Sequence, residues 1–278
     1  VSKTIVVGGG VTGLVIAGHL ALTGEEVTIV DDGRVGSGTA ASGFLLRPSW
    51  AGGADFGKVM EVLERLCIVD VLDFTIYPVG KVVKVHRAVP KMPGVLGVEW
   101  LTGKVAQVEK RKEGFWVDIR TGTRPWSLVA DRVVLATGSW ANELLPKELQ
   151  LKLETKVGCS FTWRSPVGRN FIKPWAPFKQ VVAYNIPGQE CCWAGDGTAI
   201  LERNWSQDNI EVCAERVSGE LNKKRQLGTI TIGRRPVVKG SKWYCEEVSK
   251  NLWVATGGGK IGTTAAALSA LKIAESLK

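Results

Sequence analysis

Apolar residues along the chain fall into short buried-looking runs and stretches with helical spacing. The first run, Thr4-Ile5-Val6-Val7, is mostly β-branched and reads as a strand. Residues 8–13 (Gly-Gly-Gly-Val-Thr-Gly) follow, and the spacing from Val11 to about Leu22 predicts a helix. Residues 27–30 are a second strand, which stops on Asp31. Val59, Val62, Leu63 and Leu66 share one face of a helix over Phe56–Leu66. Strand-like segments continue to Trp100, broken by Pro78, Pro90 and Pro93. Residues 104–107, 115–120 and 127–130 read as a meander with turns at Glu113-Gly114 and Thr121-Gly122. A buried strand from Arg132 to Leu135 runs into Ala136-Thr137-Gly138, and a short helix from Ser139 is stopped by Pro146.

The second half is β-rich. Strands are expected over residues 156–163, 180–185, 190–194 and 199–202, with a hairpin signal at Asp196-Gly197. Ser206 caps a helix whose apolar face is Ile210, Cys213, Val217 and Leu221. A strand over residues 229–232 leads into Gly233-Arg234-Arg235-Pro236. Residues 252–256 form a strand, residues 257–262 (Gly-Gly-Gly-Lys-Ile-Gly) a second glycine-rich turn, and residues 263–277 a helix with Ala266, Ala267, Leu271 and Ala274 inward. The pattern predicts an α/β fold: a discontinuous Rossmann-like domain (1–71, 101–150 and 233–278) and a smaller β-rich substrate domain (72–100 and 151–232).

Strand, glycine turn, helix, strand and acid have mechanical roles in a dinucleotide site. Gly8 makes the tight turn, Gly10 lets the backbone approach a pyrophosphate, and Gly13 lets the helix pack on the strand. The helix N-terminus offers free amides and the positive end of its dipole. Asp31, eighteen residues after Gly13, is placed to accept ribose hydroxyls. The small-residue loop from Asp32 to Gly43 suits close passage along a cofactor. A second glycine turn opening a helix adds a second cradle, so the ligand is longer than a single nucleotide. An NAD-only dehydrogenase would leave that turn without a use.

Composition narrows the class. The 278 residues carry a net charge of +9 and are 45% hydrophobic, as in a water-soluble globular protein. No apolar run reaches the roughly 18 residues of a membrane span, and the first strand starts almost at once, so a cytoplasmic location is expected. The basic residues are spread, with short clusters at Lys110-Arg111-Lys112 and Lys223-Lys224-Arg225 and no aromatic-interleaved stripe. These read as solvated loops rather than a polyanion surface, and an anionic cofactor and substrate would also suit the sign. Six scattered cysteines without a C-x-x-C pair, and only two histidines, make no legible metal site. The cysteines read as buried thiols; Cys191 and Cys192 point to opposite faces of a strand.

Four stretches together carry a family resemblance: residues 8–13 with Asp31, the loop 36–43, the run 130–140 (Ala-Asp-Arg-Val-Val-Leu-Ala-Thr-Gly-Ser-Trp), and residues 251–262. The chain resembles the FAD-dependent D-amino-acid oxidase superfamily, which includes glycine and sarcosine oxidases and dye-linked amino-acid dehydrogenases. The resemblance implies that Gly8, Gly10, Val11, Thr12 and Gly13 hold the FAD pyrophosphate, and Asp31 with Asp32 the adenosine end. It implies that Ser37, Ser42 and Gly43 line the path to the flavin, and that the Val105 backbone meets the adenine. Ala136, Thr137, Gly138 and Trp140 would pass near the dinucleotide, and Gly258, Gly259, Lys260, Ile261, Gly262 and Thr263 would meet the flavin's pyrimidine edge. Arg235 matches the family's G-x-R-P arginine, which clamps the substrate carboxylate in several members. Where members often carry Gly-His at the terminal turn, this chain has Gly257-Gly258, and neither His19 nor His86 is placed for covalent flavin attachment; non-covalent FAD is expected.

The implied reaction is oxidation of an amino acid or related amine by hydride transfer to the flavin. Arg235 would aim the substrate by bidentate pairing, and Lys260 with the last helix would supply positive charge. Arg47 is a weaker second anion contact and Tyr184 a weaker substrate hydroxyl. Two alternatives share the fold: 2-hydroxy-acid oxidation, for which no activating base is evident, and a partner-dependent or non-catalytic FAD-binding subunit, suggested by a short chain. A homo-oligomer is also compatible.

Overall fold

The computed structural model describes residues 1–34, 36–48, 55–176, 179–221 and 227–278. Val35 and the cluster Lys223-Lys224-Arg225 lie outside them. The first half runs β1 (Lys3–Val7), α1 (Val11–Leu22), β2 (Glu26–Asp31), β3 (Leu45–Leu46), α2 (Phe56–Leu66), β4 (Cys67–Ile76), β5 (Lys81–Pro90), β6 (Glu99–Thr102), β7 (Lys104–Arg111), β8 (Gly114–Thr121), β9 (Arg124–Ala130) and β10 (Arg132–Leu135). The second runs β11 (Leu153–Trp163), β12 (Phe171–Ala176), β13 (Lys179–Asn185), β14 (Cys192–Gly195), β15 (Ile200–Leu201), α3 (Gln207–Leu221), β16 (Leu227–Val238), β17 (Tyr244–Ser249), β18 (Leu252–Thr256) and α4 (Gly262–Glu275).

One sheet has the order β17-β18-β10-β1-β2-β6, and every pairing but that of β17 with β18 is parallel. A parallel sheet has to be covered on both faces, and the central strands β1, β10 and β18 are accordingly buried over most of their length. Val6, Ile29 and Val134 face α1 and α4, meeting Val15, Ile16, Leu20, Ala266, Ala267, Ala270 and Ile273. Ile5, Val7, Val133, Leu135 and Val254 face the opposite way, onto Phe115, Val117 and Ile119 of the β7-β8-β9 meander. Helices therefore cover one face and the meander the other. Side chains at Ala266, Ala267 and Ala270 are small, which lets α4 lie close to α1.

The second sheet has the order β15-β11-β14-β13-β12-β4-β5-β3, with β16 paired along β11 from Leu153 to Trp163. α3 covers it with Ile210, Cys213, Val217 and Leu221 against Phe161 and Trp163. Asp55 caps α2, its carboxylate accepting the amides of Gly57 and Lys58. Among the described residues no helix is long and apolar enough to cross a membrane.

The α/β architecture with a second β-rich part agrees with the sequence pattern, and four details differ. Asp196-Gly197 is a bulge, not a hairpin: β14 and β15 lie along the same edge of β11, and the stretch from Ala194 to Ile200 opposes the shorter one from Phe161 to Val157. Ser206 sits ahead of α3, but its hydroxyl and amide both donate to the Asn209 side-chain oxygen. The innermost residues of α4 include Ala270 and Ile273, while Leu271 and Ala274 are half-buried. Finally β4, β6 and β16 straddle the expected domain boundaries at 71/72, 100/101 and 232/233, so a division at element ends fits the sheets better.

Candidate cofactor and substrate site

A cavity of about 970 Å³ opens at the carboxyl ends of β1, β2, β10 and β18 and extends to residues of the second sheet such as Val182 and Trp193. That volume is at the upper end of the roughly 300–1,000 Å³ of small-molecule sites. The ends of parallel strands are where a doubly wound sheet binds its ligand.

The first glycine turn forms one end. Gly8 has φ +105°, and a Cβ there would stand 2.6 Å from the Ala136 carbonyl oxygen, so the turn is pressed against the end of β10. Gly13 does not line the cavity: a Cβ there would lie 1.8 Å from the Gly8 oxygen, so glycine is needed to seat α1 on the turn. The Val11 amide donates to Thr39 Oγ1 at 2.9 Å. The next helix amide, of Thr12, has no hydrogen-bond partner among the described residues, and with the dipole it makes an anion cradle at the cavity.

The acids are already engaged. Asp31 accepts the Gly9 amide at 2.6 Å and the Gly33 amide at 2.8 Å, joining β2 to the glycine turn. Asp32 holds Arg34, which also pairs with Glu143 at 3.1 Å and lies 4.7 Å over the Trp140 ring. Ser37 and Ser42 accept the amides of Ala40 and Phe44, and the Trp193 ring faces Gly43 closely enough that a Cβ there would lie 3.1 Å away. Val105 lines the wall from β7.

At the end of β10, Ala136, Thr137, Gly138 and Trp140 line the cavity. The hydroxyls of Thr137 and Ser139 are buried there without a hydrogen-bond partner. An unsatisfied buried polar group costs about 1–3 kcal/mol, so a polar ligand would relieve both. The second cradle follows β18. Gly257 and Gly259 have φ +78° and +48°, and a Cβ on Gly258 would stand 2.9 Å from the Gly262 Cα. Thr256 Oγ1 donates to the Gly138 oxygen at 2.8 Å, tying the two strand ends together. Gly258 to Thr263 all line the cavity.

A bridge between Val237 and Gly258 docks β16 on this cradle, two residues beyond Arg235. Arg235 lines the cavity and makes no hydrogen bond or ion pair among the described residues. Burial of its guanidinium pulls its pKa below the ordinary value, with Asp196 and Cys159 acting the other way. Arg234 is tied down: its Nε donates to Glu202 at 2.6 Å and its amide to the Gly36 oxygen at 2.8 Å. Lys260 is lowered by burial and then by Arg235, Lys179 and Lys156. The Cys159 thiol lines the cavity and is pushed up by its hydrogen bond to Cys213 and by burial, so it stays protonated.

Every expected cofactor residue except Gly13 lines this one cavity. The two weaker candidates do not serve it. Arg47 is not among the lining residues. Tyr184 is buried, and its hydroxyl donates to the Gly43 oxygen at 3.2 Å, so it supports the loop from behind. Sequence reasoning missed Arg34, Thr39, Ser139, Glu143, Trp193 and Thr256. Arg34, Thr39, Ser139 and Thr256 lie in stretches the sequence marked for the cofactor without singling them out; Glu143 and Trp193 reach the cavity through tertiary packing.

FAD fits this arrangement: two glycine cradles for an extended anionic ligand, an unpartnered helix amide, and two orphaned hydroxyls between them. A family model described as FAD dependent oxidoreductase matches residues 3–69 and 77–276. Compared by sequence with curated proteins, the chain gives no match. Among solved structures it is similar to glycine oxidase from Bacillus cereus ATCC 14579 (17% identity, TM-score 0.72, covering 99% of this chain and 96% of that one). It is similar to L-proline dehydrogenase from P. horikoshii (14%, 0.72, 99% and 94%). The glycerol-3-phosphate dehydrogenase from Bacillus halodurans, complexed with FAD, also matches (15%, 0.70, 99% and 65%). The family model spans nearly the whole chain and its cofactor suits the cavity: this protein belongs to the FAD-dependent oxidoreductases of the D-amino-acid oxidase superfamily.

Proposed function

We propose that this oxidoreductase oxidises an amino acid or a related carboxylate-bearing amine, with FAD held non-covalently. The observation that carries the reading is Arg235, a cavity-facing guanidinium without a hydrogen-bond or ion-pair partner among the described residues. A desolvated guanidinium next to an open cavity is poised for a carboxylate, which it grips in two parallel hydrogen bonds. FAD, when bound, accepts the hydride.

The chain's own residues bind and orient. The start of α1 holds the pyrophosphate, and Thr137 and Ser139 offer their unpartnered hydroxyls to the dinucleotide. Asp31 takes ribose hydroxyls with the acceptor capacity left after Gly9 and Gly33. Arg235 fixes the substrate carboxylate, so the α-C–H is presented in one orientation. Lys260 and the N-terminus of α4 place positive potential at that end of the cavity. An amine that arrives neutral needs no general base. Oxidation of a hydroxy compound would need one, and His19 and His86 do not line the cavity.

Arg235→Lys keeps the charge and loses the planar fork. We expect turnover with an amino acid to fall at least a hundredfold with FAD content unchanged. Arg234→Lys, whose partner is Glu202, should alter turnover by less than threefold. Equal turnover in wild type and Arg235→Lys would remove the clamp from the account.

A further inference from the structure

Beside the main cavity lies a side chamber of about 290 Å³, lined by Lys156, Lys179, Gly197, Ala199, Arg235, Val237, Gly259 and Lys260. Four of these eight residues are cationic and none is acidic. Lys156 and Arg235 are direct cross-strand partners between β11 and β16, so their side chains share a face. Like charges placed directly opposite across a sheet destabilise it. Asp196 acts favourably on Arg235 but is shared with other partners. Asp196 is buried, accepts from Thr198 and pairs with Arg216. Glu202 pairs with Arg234. Neither Lys156 nor Lys179 is in an ion pair among the described residues, and Lys179 lies 5.1 Å over the Trp175 ring. This repulsion persists in a concave space that opens on the substrate clamp. An anionic group in the chamber would answer it.

We infer that the substrate carries two anionic groups: a carboxylate on Arg235, and a second carboxylate or a phosphate-like group in the chamber of Lys156, Lys179 and Lys260. This rests on the clamp reading of Arg235 and adds a substrate class to it. The electrostatics at Lys260 fit: burial first, and then Arg235, Lys179 and Lys156, hold its pKa below the ordinary value.

The test is isothermal titration of the FAD-loaded protein at constant ionic strength with three probes: propionate, succinate and 3-phosphonopropionate. We expect at least one dianion to bind ten or more times tighter than propionate, and the tighter of the two names the second group. In Lys156→Gln the ratio of dianion to monoanion affinity should fall toward one, with FAD content and Tm reporting that the variant is folded. Arg235→Gln should weaken all three probes. Equal affinity for all three, lost together in Arg235→Gln, would overturn the second anion and keep the clamp. Affinities that ignore Arg235→Gln would overturn the clamp, and this inference with it. A dianion preference that survives Lys156→Gln would overturn the assigned chamber.

Discussion

At the scale of single residues, Asp31 shows how a motif position can carry two roles. Its carboxylate joins the end of β2 to the first glycine turn through the Gly9 and Gly33 amides. Hydrogen bonds to a charged group contribute about 1.5–3 kcal/mol each. Asp31→Ala should therefore weaken FAD retention at least tenfold and also lower the Tm of the FAD-free protein by several degrees. Thermal melts of both forms check this. A variant that loses FAD affinity with the Tm of the free protein unchanged would show that the turn does not depend on this carboxylate. The glycines were legible in the sequence for a related reason: their role is steric, and the pattern Gly8, Gly10, Gly13 names it. The engagement of Asp32 by Arg34 was not legible, because Arg34 is fixed by Glu143, which is distant in sequence.

Among the elements, α1 is held from both ends of its environment. Thr39, in the loop after β2, accepts the Val11 amide and so caps a helix that starts 28 residues earlier. Removing a capping side chain costs about 1 kcal/mol, so Thr39→Val should lower stability in urea by that amount and loosen the loop over the cofactor. An unchanged midpoint would deny the cap. Toward the other end of α1, His19 is buried, its Nδ1 has no partner, and burial followed by Arg65 lowers its pKa below 6.5. The folded state thus binds the proton less readily than the unfolded chain. Stability is full above the unfolded pKa and is lost as pH falls through 6.5 toward the folded value. Glu61 acts in the opposite direction and Lys278 in the same one. His19→Leu should flatten the fall in Tm between about pH 7 and 5 relative to wild type; parallel melting curves would refute the buried neutral histidine.

Elements with strong periodicity were readable: α1, α2, the meander and β10 stand where the apolar pattern put them. The edge strand β17 was not. Its sequence, Tyr-Cys-Glu-Glu-Val-Ser, puts charge on an exposed side and gives no clean alternation. β12 contains Pro174, which hides a strand in any propensity reading. The bulge at Asp196-Gly197 imitates a hairpin because both features call for a glycine with positive φ, here +71°. Its cause is tertiary: buried Asp196 is held by Thr198 and Arg216.

For the whole molecule, the proposed function rests on two glycine cradles and the Arg235 guanidinium lining a single cavity. The first cradle comes from the start of the chain and the second from its end, and the parallel sheet order β18-β10-β1-β2 brings them side by side. The bridge from Val237 to Gly258 then sets Arg235 beside the second cradle. An amine is the proposed substrate, and a hydroxy compound is the competing class. The two separate in one measurement: anaerobic addition of amino acids, related amines and 2-hydroxy acids to the FAD-loaded protein, followed by its visible absorbance. The account predicts bleaching by at least one carboxylate-bearing amine, with the rate collapsing in Arg235→Lys. Bleaching by hydroxy acids alone, or by no member of the panel, would contradict it.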